Sequence, residues 1–334
     1  MSERASTMFF LTSLGEVMLR LSPPGYERLR TARCLNVRMC GAQFNIAADL
    51  AVLGKSTAFV SKLPANELGA LARTAGVSYG VDMSHVQMTP DTRMGVIYVE
   101  FGADPRPGIH LYDRKGSAAS TIKPADFDWD RILTDTRFAH TDGIFPGLNT
   151  GCREATIEFL KAARKAGCEI CFDMNYRETI WSPEEARKLY REILGYVDIV
   201  VTNQSVSKIV FGVEDTEEEF TQRYPQEFGC RIVCMTSREM QGRRHGKWKS
   251  LALFENRFEY GRPFEFEVVD RYGTGDAFLA GFLFGYSEGG VKYGLDLGNA
   301  LCALAHTTEG DVISSSSNEV EQLLEGGTHF EIRR

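Results

Sequence analysis

The residues best suited to chemistry lie together in the segment DRYGTGDAFLAGFLFGY, which runs from Asp270 to Tyr286. Gly273 and Gly275 flank Thr274, Asp276 follows at once, and an apolar helix is predicted beyond it. Backbone N–H groups at a helix N-terminus attract anions, and glycines let an anion approach the backbone closely. A carboxylate in the first helical turn can accept a proton from a hydroxyl beside that anion. The segment therefore predicts an anion site with Asp276 as its base, and the alternative is a tight turn in which Asp276 caps a core helix.

Two familiar nucleotide-binding motifs do not fit this chain. The dinucleotide-binding motif needs a third glycine where Phe278 stands, and it belongs to an opening βαβ unit, whereas this segment lies near the C-terminus. A phosphate-binding loop of the Gly-x4-Gly-Lys-Ser/Thr type does not occur in the sequence.

A second group of polar residues follows a predicted strand in the segment FDMNYRETIW. Asp173, Asn175 and Arg177 recur at every second position, so their side chains could project toward one site. Ligands in open α/β sheets bind at the carboxyl ends of strands, which favours a site here. The alternative is a solvated strand exit without a ligand.

Two arginines raise the question of an acidic ligand. Arg114 ends a predicted strand in which His110, Tyr112 and Arg114 share one face, and Arg177 belongs to the segment above. A guanidinium matches a carboxylate or a phosphate, so both arginines in one pocket would predict an acidic substrate. The alternative is that each arginine pairs with a surface carboxylate, which contributes only about 0–1 kcal/mol.

Neither the cysteines nor the histidines form a metal-binding pattern. Cys168 and Cys171 have the spacing of a zinc or redox motif, but they fall in a predicted buried strand without a second Cys or His pair. We interpret them as free thiols, and we expect packing or surface roles for His110 and His306.

The order of predicted elements gives the fold class. From residue 137 onward strands alternate with helices, which predicts an α/β fold with a mostly parallel sheet covered by helices on both faces. Two strand pairs, at residues 17–39 and 94–114, interrupt this pattern and predict a small, discontinuous β-sheet lid. The predicted core then comprises residues 8–16, 40–93 and 115–334.

Composition limits the class of protein. The 334 residues are 43% hydrophobic and 25% charged, which is typical of a soluble globular protein. The formal charge of −7, without a basic stripe, argues against nucleic acid as a partner. No apolar run reaches membrane-spanning length and no signal peptide is recognisable, so we expect no membrane partner and a cytoplasmic protein.

Two motifs resemble those of the ribokinase-like (PfkB) carbohydrate kinase family. They are Gly41-Ala42-x-x-Asn45 near the start and Asp270-x-x-Gly273-x-Gly275-Asp276 near the end. Within that family the chain is most similar to the 2-keto-3-deoxygluconate kinases, through the segments DMNYR at 173–177 and YDRKGSA at 112–118.

The resemblance implies a ribokinase-like fold and an ATP-dependent kinase that phosphorylates the terminal hydroxyl of a keto-deoxy sugar acid. It implies ATP and Mg²⁺ as cofactors, K⁺ as a further cation that many members use, and a homodimer formed through the lid. Asp276 would be the base, in an anion hole of Gly273, Thr274 and Gly275. The sugar would be bound by Gly41, Asn45, Tyr112, Arg114 and Arg177. The nucleotide would be bound by Asn203, Thr236, Gly273, Gly275 and Asn299.

The sequence departs from the family pattern on the nucleotide side. Val206 stands where an Asn-x-x-Glu motif has its glutamate, and the charged Arg238 follows Thr236 where a glycine-containing turn is usual. Arg271 and Tyr272 replace small or β-branched residues before the anion hole. These departures keep two alternatives open: a kinase for a neutral sugar such as fructose, and a sugar-binding homologue with little turnover.

Overall fold

A computed structural model of the chain describes residues 9–326. Its strands are β1 (Phe9–Leu14), β2 (Met18–Ser22), β3 (Asn36–Cys40), β4 (Thr57–Pro64), β5 (Val81–Asp82), β6 (Val86–Thr89), β7 (Gly95–Glu100), β8 (Ile109–Asp113), β9 (Thr136–Asp142), β10 (Glu169–Asp173), β11 (Ile199–Thr202), β12 (Ile232–Gln241), β13 (His245–Phe254), β14 (Arg257–Tyr260) and β15 (Phe264–Glu267). Its α-helices are α1 (Ala42–Val52), α2 (Glu67–Tyr79), α3 (Trp129–Leu133), α4 (Thr150–Ala166), α5 (Pro183–Ile193), α6 (Gln204–Phe211), α7 (Glu217–Phe228), α8 (Thr274–His306) and α9 (Ser317–Leu324).

The main sheet has the strand order β14-β13-β12-β11-β10-β9-β1-β4-β5, with β15 paired to β13 and β6 paired to β4. From β12 to β5 neighbouring strands are parallel, and β13 pairs antiparallel with β12, β14 and β15. This confirms the predicted fold class, because the sheet is mostly parallel and its antiparallel part is confined to one edge.

Two hydrophobic layers cover the faces of this sheet, and alternate residues of one strand serve each layer. Cys171 of β10 packs in the layer that contains α1 and α8, whereas Ile170 and Phe172 pack in the layer that contains α3, α4 and α5. Cys168 belongs to the second layer. The cysteine pair is therefore split between the two faces of the sheet, and both thiols are free, as interpreted from the sequence.

A second, four-stranded sheet has the order β3-β2-β7-β8. Each predicted strand pair forms an antiparallel hairpin, and the parallel pairing of β2 with β7 joins the two hairpins. We refer to these four strands as the small sheet. Its assignment as a lid domain stays a prediction, and residues 8 and 327–334 of the predicted core lie outside the described residues.

Helix α8 begins where the sequence predicts an apolar helix after the anion-hole turn and continues to His306. Gly289 and Gly290 have non-helical backbone angles and divide α8 into two halves that pack against each other. A Cβ atom added at Gly281 would lie 2.9 Å from the Cα of Gly298. The small residues of this pair therefore allow close contact between the two halves of α8.

The sequence analysis did not predict helices α6, α7 and α9. Asn203 and Thr216 begin α6 and α7 as N-caps, and Ser316 caps α9 through a capping box. Each capping side chain accepts from a free N–H group of the first turn, which is the signal that could have located these helices. Across residues 9–326, no helix is both long and apolar enough to cross a membrane.

Candidate functional site

A cleft of about 2430 Å³ lies between the small sheet and the carboxyl ends of β10, β11 and β12. Every predicted site residue except Asn299 lines this cleft. These residues are Gly41, Asn45, Tyr112, Arg114, Arg177, Asn203, Thr236, Gly273, Thr274, Gly275 and Asp276. Residues from both ends of the chain thus meet in one place, as expected for ligand binding at the ends of parallel strands.

The anion-hole turn at the start of α8 has room for a ligand on one side only. Gly273 is left-handed (φ 72°), and a Cβ atom there would lie 1.8 Å from the carbonyl oxygen of Asp311. A Cβ atom at Gly275 would meet no atom within 4 Å. The turn is therefore packed tightly against protein at Gly273 and open at Gly275, where the first N–H groups of α8 are available to an anion.

Asp276 lies in the first turn of α8, is buried, and accepts a hydrogen bond from Nδ2 of Asn45 at 2.7 Å. Asn45 belongs to α1, which begins after Gly41 (φ 150°), where a Cβ atom would meet the carbonyl oxygen of Glu16 at 2.1 Å. Burial raises the pKa of Asp276, and the bond from Asn45 partly offsets this effect. The arrangement fixes one carboxylate oxygen and gives the carboxylate a higher affinity for a proton.

A network of hydrogen bonds holds the loop after β10. Asp142 and Asp173 are opposite each other at the ends of β9 and β10, and Asn175 donates to both, from Nδ2 to Asp142 at 3.0 Å and from its backbone N–H to Asp173 at 3.0 Å. Nε2 of Gln43 also donates to Asp142. Burial raises the pKa of Asp142 to about 6 and that of Asp173 to about 8. This network places the following residue pair, Tyr176 and Arg177, at the wall of the cleft.

The two arginines do not have equal roles, contrary to our expectation. Arg114 forms an ion pair with the buried carboxylate of Glu16 through Nε and Nη2, and Ser117 donates to the other oxygen of Glu16. The charge of Arg114 is therefore already matched inside the protein. Glu16 was missed in the sequence, although its place directly after the first strand was a usable signal.

Arg177 remains available to a ligand. Its only hydrogen bond to a described residue goes to the backbone oxygen of Tyr176, at 3.1 Å, and no carboxylate among residues 9–326 forms an ion pair with it. Burial raises the pKa of Tyr112 and the nearby Arg177 opposes this effect. The guanidinium of Arg177 thus lies near Tyr112, Asp173 and Asp276, but it forms no ion pair with any described residue.

The residue with the greatest consequence for the site is Arg20, which the sequence analysis did not single out. Arg20 lies on β2 of the small sheet and is 1% exposed. Its guanidinium bridges two loops of the core, through Nη2 to Asp270 at 2.5 Å and through Nη1 to Asp311 at 2.7 Å. The signal was present, because Arg20 shares the inward face of β2 with Met18.

Tyr272, an unusual residue for the family, completes this cluster. Its ring lies 4.2 Å from the Arg20 guanidinium, and the ring of His110 meets it edge-on at 5.3 Å. His110 is therefore a packing residue, as expected. Asp270 also accepts from the backbone N–H groups of Arg271 and Tyr272. Arg20, Tyr272 and Asp270 together fix the turn that leads into Gly273.

On the nucleotide side, the structure brings Asn203 and Thr236 to the cleft but not Asn299. The side chain of Asn299 is fully buried, accepts from Ser250 at 2.8 Å and donates to the backbone of Arg262 at 2.9 Å. Its polar groups are thus occupied inside the fold, so the side chain of Asn299 does not reach the cleft where the sequence analysis placed it. Within residues 9–326, no three His, Cys, Asp or Glu side chains are placed to hold a metal ion.

Comparison with known proteins identifies relatives across almost the whole chain. Residues 8–318 match the model of the pfkB family carbohydrate kinases. The chain is 36% identical to the 2-dehydro-3-deoxygalactonokinase of Haloferax volcanii, covering 95% of this chain and 97% of the relative. It is 28% identical to the 2-dehydro-3-deoxygluconokinase of Thermoproteus tenax, covering 96% of each.

Solved structures show the same fold. The 2-dehydro-3-deoxygluconokinase of Thermotoga maritima has a TM-score of 0.91 and 31% identity, covering 95% of this chain and 100% of that chain. A protein of E. coli in complex with ATP and Mg²⁺ has a TM-score of 0.84 at 19% identity, covering 96% of this chain and 100% of that chain, and its likeness concerns the fold alone.

We predict that Arg20→Met lowers the free energy of unfolding by about 3–5 kcal/mol, because it leaves two buried carboxylates without their cation. Arg38→Met on β3 is the matched control, since Arg38 forms an exposed ion pair with Glu309 and should lose less than about 1 kcal/mol. Urea unfolding followed by circular dichroism measures both.

Adding Asp311→Asn to Arg20→Met should recover part of the loss, because it removes one unmatched charge. Equal stability of the Arg20 and Arg38 variants would contradict the bridging role of Arg20.

Proposed function

We propose a specific reaction for this chain, which belongs to the pfkB family of carbohydrate kinases and is itself a carbohydrate kinase. In this reaction the protein uses ATP to phosphorylate the terminal hydroxyl of a keto-deoxy sugar acid. One observation carries the choice of an acid: Arg177 lines the cleft and forms no ion pair with any described residue. The relatives from Haloferax volcanii and Thermoproteus tenax, named for 2-dehydro-3-deoxy sugar acids, support it.

In the proposed reaction the start of α8 performs both tasks at the reacting centre. The backbone N–H dipoles of Gly273, Thr274 and Gly275 point toward the phosphoryl group and stabilise its negative charge. Asp276 accepts the proton of the attacking hydroxyl, and its raised pKa makes it a stronger base than an exposed aspartate. The side chain of Asn45 donates to Oδ2 of Asp276 and so holds the carboxylate in position.

The open side of the turn at Gly275 fits a nucleotide phosphate chain, since a Cβ atom placed there would occupy free space. ATP supplies the transferred phosphoryl group, and Mg²⁺ neutralises its negative charge. Because the described residues offer no cluster of acidic ligands, Mg²⁺ would be held mainly by phosphate oxygens and water. The use of K⁺ stays a prediction.

The small sheet supports a second proposal, a homodimer formed through its outer face. Cross-strand neighbours on that face form an apolar row across all four strands: Val37, Leu21, Tyr98 and Leu111. Val37 and Leu111 are both more than half exposed. An apolar row of this kind on a sheet face is best buried against a second copy, which would also cover the sheet behind the sugar site.

We expect Asp276→Asn to lower kcat by about 10²–10⁴-fold, because the variant lacks the proton acceptor. ADP release measured with 2-keto-3-deoxygluconate, 2-keto-3-deoxygalactonate and fructose tests this. In the native protein kcat/KM should rise with pH as Asp276 loses its proton, and the variant should lose that rise. A native protein that phosphorylates none of these sugars, or an Asn variant with full activity, would overturn the proposal.

Arg177→Ala should raise KM for a sugar acid by roughly 10- to 100-fold, because it removes a charged hydrogen-bond donor to the carboxylate. KM for fructose should change little. Arg164→Ala is the control, since Arg164 pairs with Asp198 outside the cleft. Equal losses for acidic and neutral sugars would remove the argument for an acid and favour the neutral-sugar alternative.

For the dimer, we expect Leu111→Arg to shift the protein from dimer to monomer in sedimentation analysis, because the new charge would be buried in the contact. Val77→Arg on α2 is the control, since Val77 is equally exposed but lies away from the small sheet. A monomeric native protein, or a variant that stays dimeric, would refute this contact.

A further inference from the structure

The β12–β13 hairpin extends beyond the main sheet and into the cleft. Strand β11 accompanies β12 only from Ile232 to Met235, but β12 and β13 stay paired as far as Gln241 and His245. Residues 236–241 therefore form an antiparallel ribbon with their partners on β13, and β15 pairs with the other edge of β13 from His245 to Trp248. At its tip Arg243 forms an ion pair with Asp104 of the small sheet's β7–β8 loop.

One face of this ribbon points into the cleft. Thr236 and Arg238 are two positions apart on β12 and share that face, and Trp248 is the cross-strand neighbour of Arg238. All three line the cleft, where Trp248 packs on Phe278 of α8 at 6.0 Å between ring centroids. The side chain of Arg238 is therefore directed toward the space beside the anion-hole turn.

The side chain of Arg238 makes neither a hydrogen bond nor an ion pair with any of residues 9–326. Burial and the cation of Arg271 both lower the pKa of Arg238. The side chain of Arg271 donates only to the backbone oxygen of Arg243, at 3.0 Å, among the described residues. Two guanidiniums thus lie near each other at the cleft without a carboxylate to balance them.

We propose that Arg238 and Arg271 bind the phosphate chain of the nucleotide donor. Two like charges brought together without an acid are stabilised by an anion, and a guanidinium fits phosphate oxygens in pairs. Arg271 lies two residues before Gly273, so the phosphate chain on the anion-hole turn passes close to it. This assignment rests on the proposed function, since it takes a nucleoside triphosphate as the donor.

A different role for Arg238 would be stacking on the nucleotide base. Stacking would use one guanidinium and would leave the repulsion between Arg238 and Arg271 uncompensated, so the phosphate chain is the favoured ligand. The two roles differ in their dependence on phosphate number, because a base contact acts equally on every adenine nucleotide. Inorganic tripolyphosphate carries the phosphate chain without a base and separates them directly.

The test is calorimetric titration of the full-length protein, without sugar, with ATP, ADP, AMP and inorganic tripolyphosphate. Arg238→Gln should weaken ATP and tripolyphosphate by roughly 10- to 100-fold and AMP by less than about 3-fold. Arg238→Lys should recover part of the loss, and Arg271→Gln should show the same order of effects. Lys249→Gln is the matched control, because Lys249 lies on the same ribbon and pairs with Glu239 outside the cleft.

In the absence of ligand the Arg238→Gln and Arg271→Gln variants should unfold at a temperature no lower than that of the native protein, because each removes one of two like charges. Unchanged ATP affinity in Arg238→Gln would overturn the assignment. An equal loss of affinity for AMP would show that Arg238 contacts the base and not the phosphate chain. Because binding is measured without turnover, the two proposals can fail separately. A native protein that binds ATP through Arg238 but phosphorylates no sugar acid would refute only the proposed substrate.

Discussion

The ion pairs of Arg20 with Asp270 and Asp311 hold the small sheet and the anion-hole turn together, and the geometry of the cleft depends on them. One guanidinium of the small sheet neutralises two carboxylates that belong to separate loops of the core. Asp311 also supplies the carbonyl oxygen against which Gly273 packs without space for a side chain. Separating these groups would leave buried charges unmatched, which costs several kcal/mol. Strand β2 and the anion-hole turn therefore behave as one rigid unit.

The pairing of charges decides what the cleft can bind. Arg20 and Arg114 are paired with buried carboxylates, so their charges are not available to a ligand. Arg177, Arg238 and Arg271 line the cleft, and none of them forms an ion pair with a described residue. Asp276 lies at the start of α8 in the same cleft. This distribution suits a reaction between an acidic acceptor and a phosphate-bearing donor, with a base where the two substrates would meet.

Local patterns gave much of the fold. The alternation of strands and helices from residue 137, the two strand pairs of the small sheet and the glycines before Asp276 were all readable, because each follows from backbone geometry or side-chain periodicity. The N-caps of α6, α7 and α9 were equally local but were overlooked. The division of α8 at Gly289 and Gly290 was harder to predict from the sequence, because the packing of its two halves depends on contacts between residues that are far apart along the helix.

The sequence by itself determined the fold class and the identity of the chemical groups, an anion-binding turn and one carboxylate, because these depend on neighbouring residues. Only the tertiary structure decided which charged side chains remain free. Arg114 and Arg177 look alike in sequence, yet Glu16, nearly a hundred residues away along the chain, neutralises one of them. In the same way, hydrogen bonds with Ser250 and with the backbone of Arg262 keep the side chain of Asn299 away from the cleft. The physical reason is that a side chain's charge and hydrogen-bonding capacity are spent on whichever partner the fold brings to it.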